Sequence, residues 1–431
     1  MFSLLGGIAL AADTAPGSEP GEDETLIADA STAAVIEPAA APPGGREKSK
    51  PKKFEFTLLD RESVNIKYSR KGLEIKSRSG NYTARVRVRS QLRYSYPYDS
   101  DPRKDSHFGA VKTNDIYFRR ARLKADGVAF GKWFKYNFEY DLVDPRVLNL
   151  YATAKVKDWL QFRGGQWKAD FSRERVTSSA KQQFVERSAV NRDFTVDRQA
   201  GFGILGHLMP GTRGDSWYYV NVLTGTGRGN GFDDDSQPMI VGRYQWNFLG
   251  QDMGFSSSDL EYHDEPAASF AVAGVTNRSR YTRFSSGGGS QLDGFEAGEA
   301  GQYSLKQAMG EFFFKYRGLS IQNENHWKNI YDNINLDSTD MAGSYAQAGY
   351  FPHNLLPIVP KKLEVGYRYG FVDPNTAIPS EFRQEHTVLV NYFFEGHSNK
   401  LSFDVGRVSL DRADMPNLSV WRYRVQWDVH F

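Results

Sequence analysis

The chain has no cysteine in its 431 residues. Disulfide frameworks, thiolate zinc clusters and cysteine nucleophiles are therefore excluded. No run approaches the ~20 consecutive apolar residues that a transmembrane helix needs, and the mean hydropathy is −0.56. A soluble β protein or a barrel that crosses a membrane with strands is left. Catalytic signatures are missing as well, with no H-E-x-x-H, G-x-S-x-G or P-loop pattern. His107, His207, His263, His326, His353, His386, His397 and His430 are scattered. The nearest approach to a constellation, Glu385-His386, would point to opposite faces of a strand. We expect no catalytic residue, no metal and no cofactor. The formal net charge of +2 says little about partners, and no nucleic acid is expected among them.

What the chain has in quantity is alternating aromatic sequence. Aromatic residues make up 14% and glycines number 40, which suits girdles, bulges and tight turns. At the C-terminus Trp421, Tyr423, Val425, Trp427, Val429 and Phe431 occupy every second position, with Arg422, Arg424, Gln426, Asp428 and His430 between them. Successive side chains of a strand face opposite ways, so this segment has an aromatic face and a charged face. A transmembrane barrel requires that split, because one face meets lipid and the other a wet lumen. The final Phe431 resembles the C-terminal signature of outer-membrane barrels.

The same pattern recurs along the chain. Arg85, Arg87, Arg89 and Arg93 share one face of 82–96, and Arg120, Arg122, Lys124 and Asp126 share one face of 116–126. Further strands are expected at 133–141, 147–155, 159–168, 199–208, 217–224, 239–248, 268–276, 303–316, 319–328, 344–351, 363–372, 383–394, 399–409 and 419–431. The count is even, as both barrel ends on one side of the membrane require. The predicted fold class is an all-β transmembrane antiparallel β-barrel of about 16 strands, occupying 81–431. Tight connections such as 316–318 and 395–398 should lie on one side, and long ones such as 228–237 and 278–301 on the other. The tryptophans fall mostly near strand ends and are expected in interfacial girdles, with sugar stacking as the alternative.

Ahead of the barrel, residues 1–12 read as a signal peptide whose start is missing, since no Lys or Arg precedes Ala9-Leu10-Ala11. Residues 13–53 are rich in Ala, Pro and acidic side chains, then basic, and are expected to be a disordered linker. Residues 54–80 read as a periplasmic lead-in with a small strand at Gly72–Lys76.

Several motifs together resemble the phosphate-selective porin O/P family. They are Lys71-Gly72-Leu73-Glu74-Ile75, Arg119-Arg120-Ala121-Arg122-Leu123, Phe138-Glu139-Tyr140-Asp141, Gly165-Gln166-Trp167-Lys168, and Thr177-Ser178-Ser179 followed by Phe184-Val185-Glu186-Arg187-Ser188. The resemblance spans about residues 70–431. It implies a homotrimeric barrel in the bacterial outer membrane, contacting lipid, with a third loop folded inward to narrow the pore. It also implies an arginine ladder in the lumen and passage of phosphate or polyphosphate, pyrophosphate included. That loop would run from Asp170 to Arg198, carrying Arg173, Arg175, Lys181, Arg187, Arg192, Asp193 and Arg198 at the constriction.

Arginines at alternate positions have a chemistry of their own. Unpaired, they could not be buried in a soluble core. Facing water, they form a row of planar donors that grip oxyanions with parallel hydrogen bonds and stay charged at any working pH. Arg85, Arg87, Arg89, Arg93, Arg120, Arg122, Lys124 and Arg163 are the expected pore-lining anion contacts. An alternative is a carboxylate wall opposite them, supplied by Asp126, Glu139, Asp141, Glu364, Glu385, Asp404 and Asp428, as in a general or carbohydrate diffusion porin. A non-conducting outer-membrane anchor is the reading of a different class.

Overall fold

The computed structural model describes residues 54–57, 63–69, 72–97, 102–109, 114–229, 235–412 and 415–431. The expected leader 1–12 and linker 13–53 lie outside the described residues. Phe54–Thr57 (β1), Ser63–Ser69 (β2) and Gly72–Ser77 (β3) form an antiparallel meander that leads into the barrel.

The barrel strands are Thr83–Tyr96 (β4), Asp115–Ala129 (β5), Phe134–Asp141 (β6), Arg146–Lys157 (β7), Leu160–Lys168 (β8), Arg198–Leu208 (β9), Ser216–Leu223 (β10), Met239–Trp246 (β11) and Ala267–Ser279 (β12). A small hairpin, Arg283–Ser285 (β13) with Gly288–Ser290 (β14), interrupts the series. The barrel resumes with Tyr303–Tyr316 (β15), Leu319–Asp332 (β16), Asp337–Tyr350 (β17), Leu363–Asp373 (β18), Arg383–Phe393 (β19), Asn399–Leu410 (β20) and Leu418–His430 (β21). Each of these sixteen strands pairs antiparallel with the next, and β21 returns to β4, with Tyr423 opposite Tyr96 and His430 opposite Arg89. The terminal Phe431 exchanges backbone hydrogen bonds with Val88 at 2.9 and 3.0 Å. Beyond that point β3 takes over the same edge of β4, with Leu73 opposite Val86.

Burial is inverted relative to a soluble protein. The largest fully buried side chains include Arg93, Arg173, Arg198, Arg368, Arg422 and Arg424, whereas Ile116, Phe118, Phe202, Val388 and Trp421 are exposed. A surface so apolar around an interior so charged is stable only where lipid is the outer solvent.

Two glycines show how neighbouring strands lock on the outer face. A Cβ at Gly127 or Gly206 would overlap the carbonyl oxygen of Thr83 or Trp159. In each case a tyrosine from the facing strand lies across the gap. Tyr136 donates to the Thr83 carbonyl at 3.0 Å, and Tyr218 to the Trp159 carbonyl at 2.6 Å. An aromatic ring covering a strand glycine restores packing that the missing side chain forfeits.

The expected strands are all present, several of them longer than the alternation suggested. The tight turn at Arg317-Gly318 has positive φ at both residues, 46° and 81°, the geometry of a two-residue hairpin loop. Length does not sort the connections by side, however. The connection 247–266 lies at the same end as the tight turns, yet its Ser257, Ser258 and Asp259 are buried. It carries its own order, since Gly318 N–H donates to Asp259 Oδ2 at 2.8 Å and Ser258 Oγ to Glu364 Oε2 at 3.0 Å.

Candidate functional site

The connection between β8 and β9, residues 169–197, is tied to much of the barrel wall. It holds two short helices, Arg173–Val176 (α1) and Ala189–Phe194 (α2). Carboxylates from the wall take up the N–H groups that a helix start leaves unpaired. Glu174 N–H donates to Glu324 Oε1 at 2.7 Å and Ala189 N–H to Glu385 Oε2 at 2.8 Å. The apolar side of the segment supplies the rest of the anchorage. Phe171, Val190 and Phe194 are buried with Ile330, Met341, Tyr345 and Val372. Gly343 leaves room for the Phe194 ring, which a Cβ there would meet at 2.5 Å.

The first set of expected pore residues lies along β4, β5 and β8, each beside a carboxylate. Arg85 pairs with Glu74 at 2.8 Å and Asp126 at 3.4 Å, and Arg87 pairs with Asp126. Arg89 makes a two-pronged contact with Asp428 at 2.8 and 3.0 Å. Arg122 bridges Glu139 and Asp141 at 2.8 and 3.1 Å, Lys124 meets Glu139 at 3.1 Å, and Arg163 meets Asp170 at 3.0 Å. Six of the seven carboxylates expected on an opposing wall, all but Glu364, instead pair with arginines on their own or neighbouring strands. Glu364 accepts hydrogen bonds from Gln183, Ser258 and Asn391.

The expected loop residues divide by partner. Arg173 reaches Glu311 at 2.7 Å, Arg175 pairs with Asp197, and Asp193 with Arg383. Arg187 is held by the carbonyl oxygens of Glu174 and Thr177, both at 2.9 Å, and Arg198 by Asn149 Oδ1 at 2.7 Å. Lys181 is exposed.

Arg93, Arg120, Arg175, Arg187 and Arg192 converge with Arg424 from the charged face of the last strand and with four arginines not named as site residues from the sequence: Arg103, Arg119, Arg283 and Arg383. These ten line a cavity of about 220 Å³ in which Glu186 is the one lining carboxylate among the described residues. Glu186 sits between Arg93 at 3.0 Å, Arg119 at 3.4 Å and Arg120 at 2.9 Å. Arg119 reaches it because of a bulge. The pairing slips between Gln91 and Leu92, opposite Arg120 and Phe118, so Arg119 is the extra residue of β5 in the register with β4.

On the loop side the cavity is fenced by Asp293, which pairs with Arg103 at 2.8 Å and faces Arg192 at 3.6 Å. Burial pulls the Asp293 carboxyl up, but the Arg103 hydrogen bond and the charges of Arg103, Arg192 and Arg383 outweigh it and hold it at about 2. Burial and the facing Arg192 charge bring the Arg283 guanidinium down to about 10, so it remains a cation at neutral pH.

A second, wider cavity of about 990 Å³ lies toward the end that carries the tight turns. Arg85, Arg87, Arg122, Lys124 and Arg163 line it together with Asp126, Glu139 and Asp170. Among the described residues no three His, Asp or Glu side chains are grouped as metal ligands.

A closed sixteen-stranded barrel, apolar without and charged within, is an outer-membrane porin. The chain belongs to the phosphate-selective porin O and P family, which matches residues 86–426. No curated protein matches it. Solved structures share the barrel at low identity. The outer membrane channel DcaP of Acinetobacter baumannii aligns with a TM-score of 0.54 and 14% identity over 83% of this chain and 99% of its own. The anion-selective porin of Comamonas acidovorans gives 0.51 and 10% over 81% and 100%. The trimer form of OmpT from Vibrio cholerae gives 0.50 and 13% over 81% and 99%. The protein is thus a porin of the bacterial outer membrane.

Proposed function

We propose that the barrel passes small anions by passive diffusion, with phosphate or polyphosphate preferred. The observation that carries this is the 220 Å³ cavity lined by ten guanidiniums and one carboxylate. Arg103, Arg175, Arg383 and Arg424 pair with Asp293, Asp197, Asp193 and Asp404 outside the lining. The excess of the other six over Glu186 attracts and partly dehydrates an oxyanion, and low-dielectric walls focus its field. The 169–197 segment is the constriction, folded into the lumen. Its support is the contacts that tie it both to β4 and β5, through Glu186, and to β15, β16 and β19. The arginines of β4 and β5, each beside a carboxylate, form the approach along which an anion passes from one guanidinium to the next. The trimer form recorded for OmpT, an outer membrane protein of Vibrio cholerae, supports a homotrimer, with the exposed apolar face against lipid or neighbouring copies.

A second reading, a general porin without phosphate preference, is favoured by the carboxylate beside each arginine of the row. Planar-bilayer recordings of chloride current, titrated with phosphate and pyrophosphate, separate the two. Saturable block weakened in Arg283→Ala and Arg120→Ala supports phosphate preference. Chloride current indifferent to both anions leaves the general porin, and no current at all leaves an anchor.

A further inference from the structure

Two tryptophans depart from the girdle expected of them. Trp133, Trp159, Trp246, Trp327, Trp421 and Trp427 are exposed, but Trp167 is buried and Trp217 half-buried, and both line the 990 Å³ cavity. Strand alternation accounts for it. Trp217 and Tyr219 share the face of β10 opposite the exposed Val220 and Val222, and Trp167 shares the face of β8 opposite the exposed Phe162. Tyr151 of β7 joins them.

The rings are packed against one another. Tyr151 and Trp167 meet edge to face at 6.4 Å, Trp217 and Tyr219 stack at 6.1 Å, and Trp217 also stacks on His207 at 4.4 Å. Hydrogen bonds fix both indoles: Trp167 Nε1 donates to Asp170 at 3.1 Å and Trp217 Nε1 to Asp252 at 3.0 Å. Gly203 makes space for Asn221, whose amide oxygen a Cβ there would overlap, while the Trp167 ring would lie in ordinary contact at 3.4 Å. Arg163 lies over both Tyr151 and Trp167, at 5.3 and 5.5 Å. Across the same cavity stand Arg87 and Lys124. The cavity therefore offers π surface beside Arg163, and Arg87 and Lys124 paired with Asp126 and Glu139, inside a volume typical of small-molecule sites.

Nothing in the passage of inorganic phosphate calls for rings. We propose that this cavity is a binding site for organic anions that carry a planar ring, aromatic phosphate monoesters and aromatic carboxylates. The ring packs against Tyr151 and Trp217, and the anionic group is held by Arg163 and Arg87. Face and edge contacts between aromatic groups, and guanidinium over a ring, supply the preference. A pyranose can also lay its C–H face on a ring, so sugar phosphates are the competing class that the test has to separate.

The inference rests on the barrel conducting anions, and its test separates the two. Chloride current through the purified full-length protein is titrated with phenyl phosphate, inorganic phosphate, phenol and glucose 6-phosphate. We expect phenyl phosphate to block with a lifetime about tenfold longer than inorganic phosphate, and phenol not to block. Tyr151→Leu and Trp217→Leu should remove that excess and leave phenyl phosphate resembling inorganic phosphate. Heat-modifiable migration on gels verifies that each variant is folded. Equal block by phenyl phosphate and inorganic phosphate, or a glucose 6-phosphate block as long as that of phenyl phosphate, would overturn the site while anion conduction stands. Absence of chloride current would overturn both.

Discussion

Arg173 of the third loop donates from Nε to Glu311 Oε1 on β15 at 2.7 Å, and Arg243 from β11 approaches the same carboxylate at 2.9 Å. All three side chains are buried. One carboxylate thus secures the loop to two wall strands, and removing it would leave two guanidiniums short of a counter-charge. Deleting one member of a buried ion pair costs about 3–5 kcal/mol. Glu311→Gln should lower the thermal unfolding temperature in detergent and raise single-channel conductance as the loop loosens. An unchanged conductance would detach this contact from the pore.

Glu186 stands among arginines in the smaller cavity and competes with any anion that enters. In Glu186→Gln the side chain keeps its shape and loses its charge. We expect phosphate to block chloride current about tenfold more tightly, as one released charge-assisted contact allows. Titrations of block in bilayers measure this directly, and weaker block in the variant would count against the cavity as the anion site.

Asp293 and Arg103 latch two connections on the loop side. Because the Asp293 carboxyl is held at about 2, below its ordinary 3.8, the latch contributes stability above pH about 4 and loses it as pH falls through about 2. Channel noise in the natural protein should therefore be constant from pH 8 to pH 4, as rough bounds from this linkage. Asp293→Asn should show, at neutral pH, the added gating noise that the natural protein shows only in strong acid. Equal noise in the two proteins at neutral pH would mean that the latch holds nothing.

Outside the lumen, Gly206 and Tyr218 interlock across β9 and β10. Gly206→Ala forces the Trp159 carbonyl aside and should destabilise the folded barrel by about 1–3 kcal/mol. Tyr218→Phe loses only the hydrogen bond, about 1 kcal/mol. Urea unfolding midpoints in lipid vesicles give both values, and a neutral Gly206→Ala would show the interlock to be dispensable.

The strands were legible because lipid and lumen impose a strict two-residue period, plain in Trp421–Phe431 and in the arginines of 82–96. Their rims were less so. Asp337–Thr339 begin β17 without an apolar face, since a strand end beyond the lipid band has none to keep. Of the arginine-lined cavity, half was readable: Arg93, Arg120 and Arg424 follow alternation, whereas Arg119 comes in through a bulge, Arg283 from a hairpin in a loop, and Arg383 from a strand rim. No period marks those positions. Trp167 and Trp217 were misplaced for a related reason. Near a strand end, a tryptophan facing lipid and one facing water have the same spacing from the turn, and only the parity of the neighbours tells them apart. The burial of Ser257, Ser258 and Asp259 within the 247–266 connection had no signal, because polar residues are what either a solvated turn or a packed strap would carry.

The zero-current potential across a potassium chloride gradient tests the central claim most directly, since it reports which ion the lumen admits without reference to any blocker. An interior with guanidiniums at its smaller cavity predicts a potential near the chloride equilibrium value, shifting toward zero when Arg120, Arg283 and Arg383 are replaced together by alanine. A potential near the potassium value in the natural protein would contradict the account.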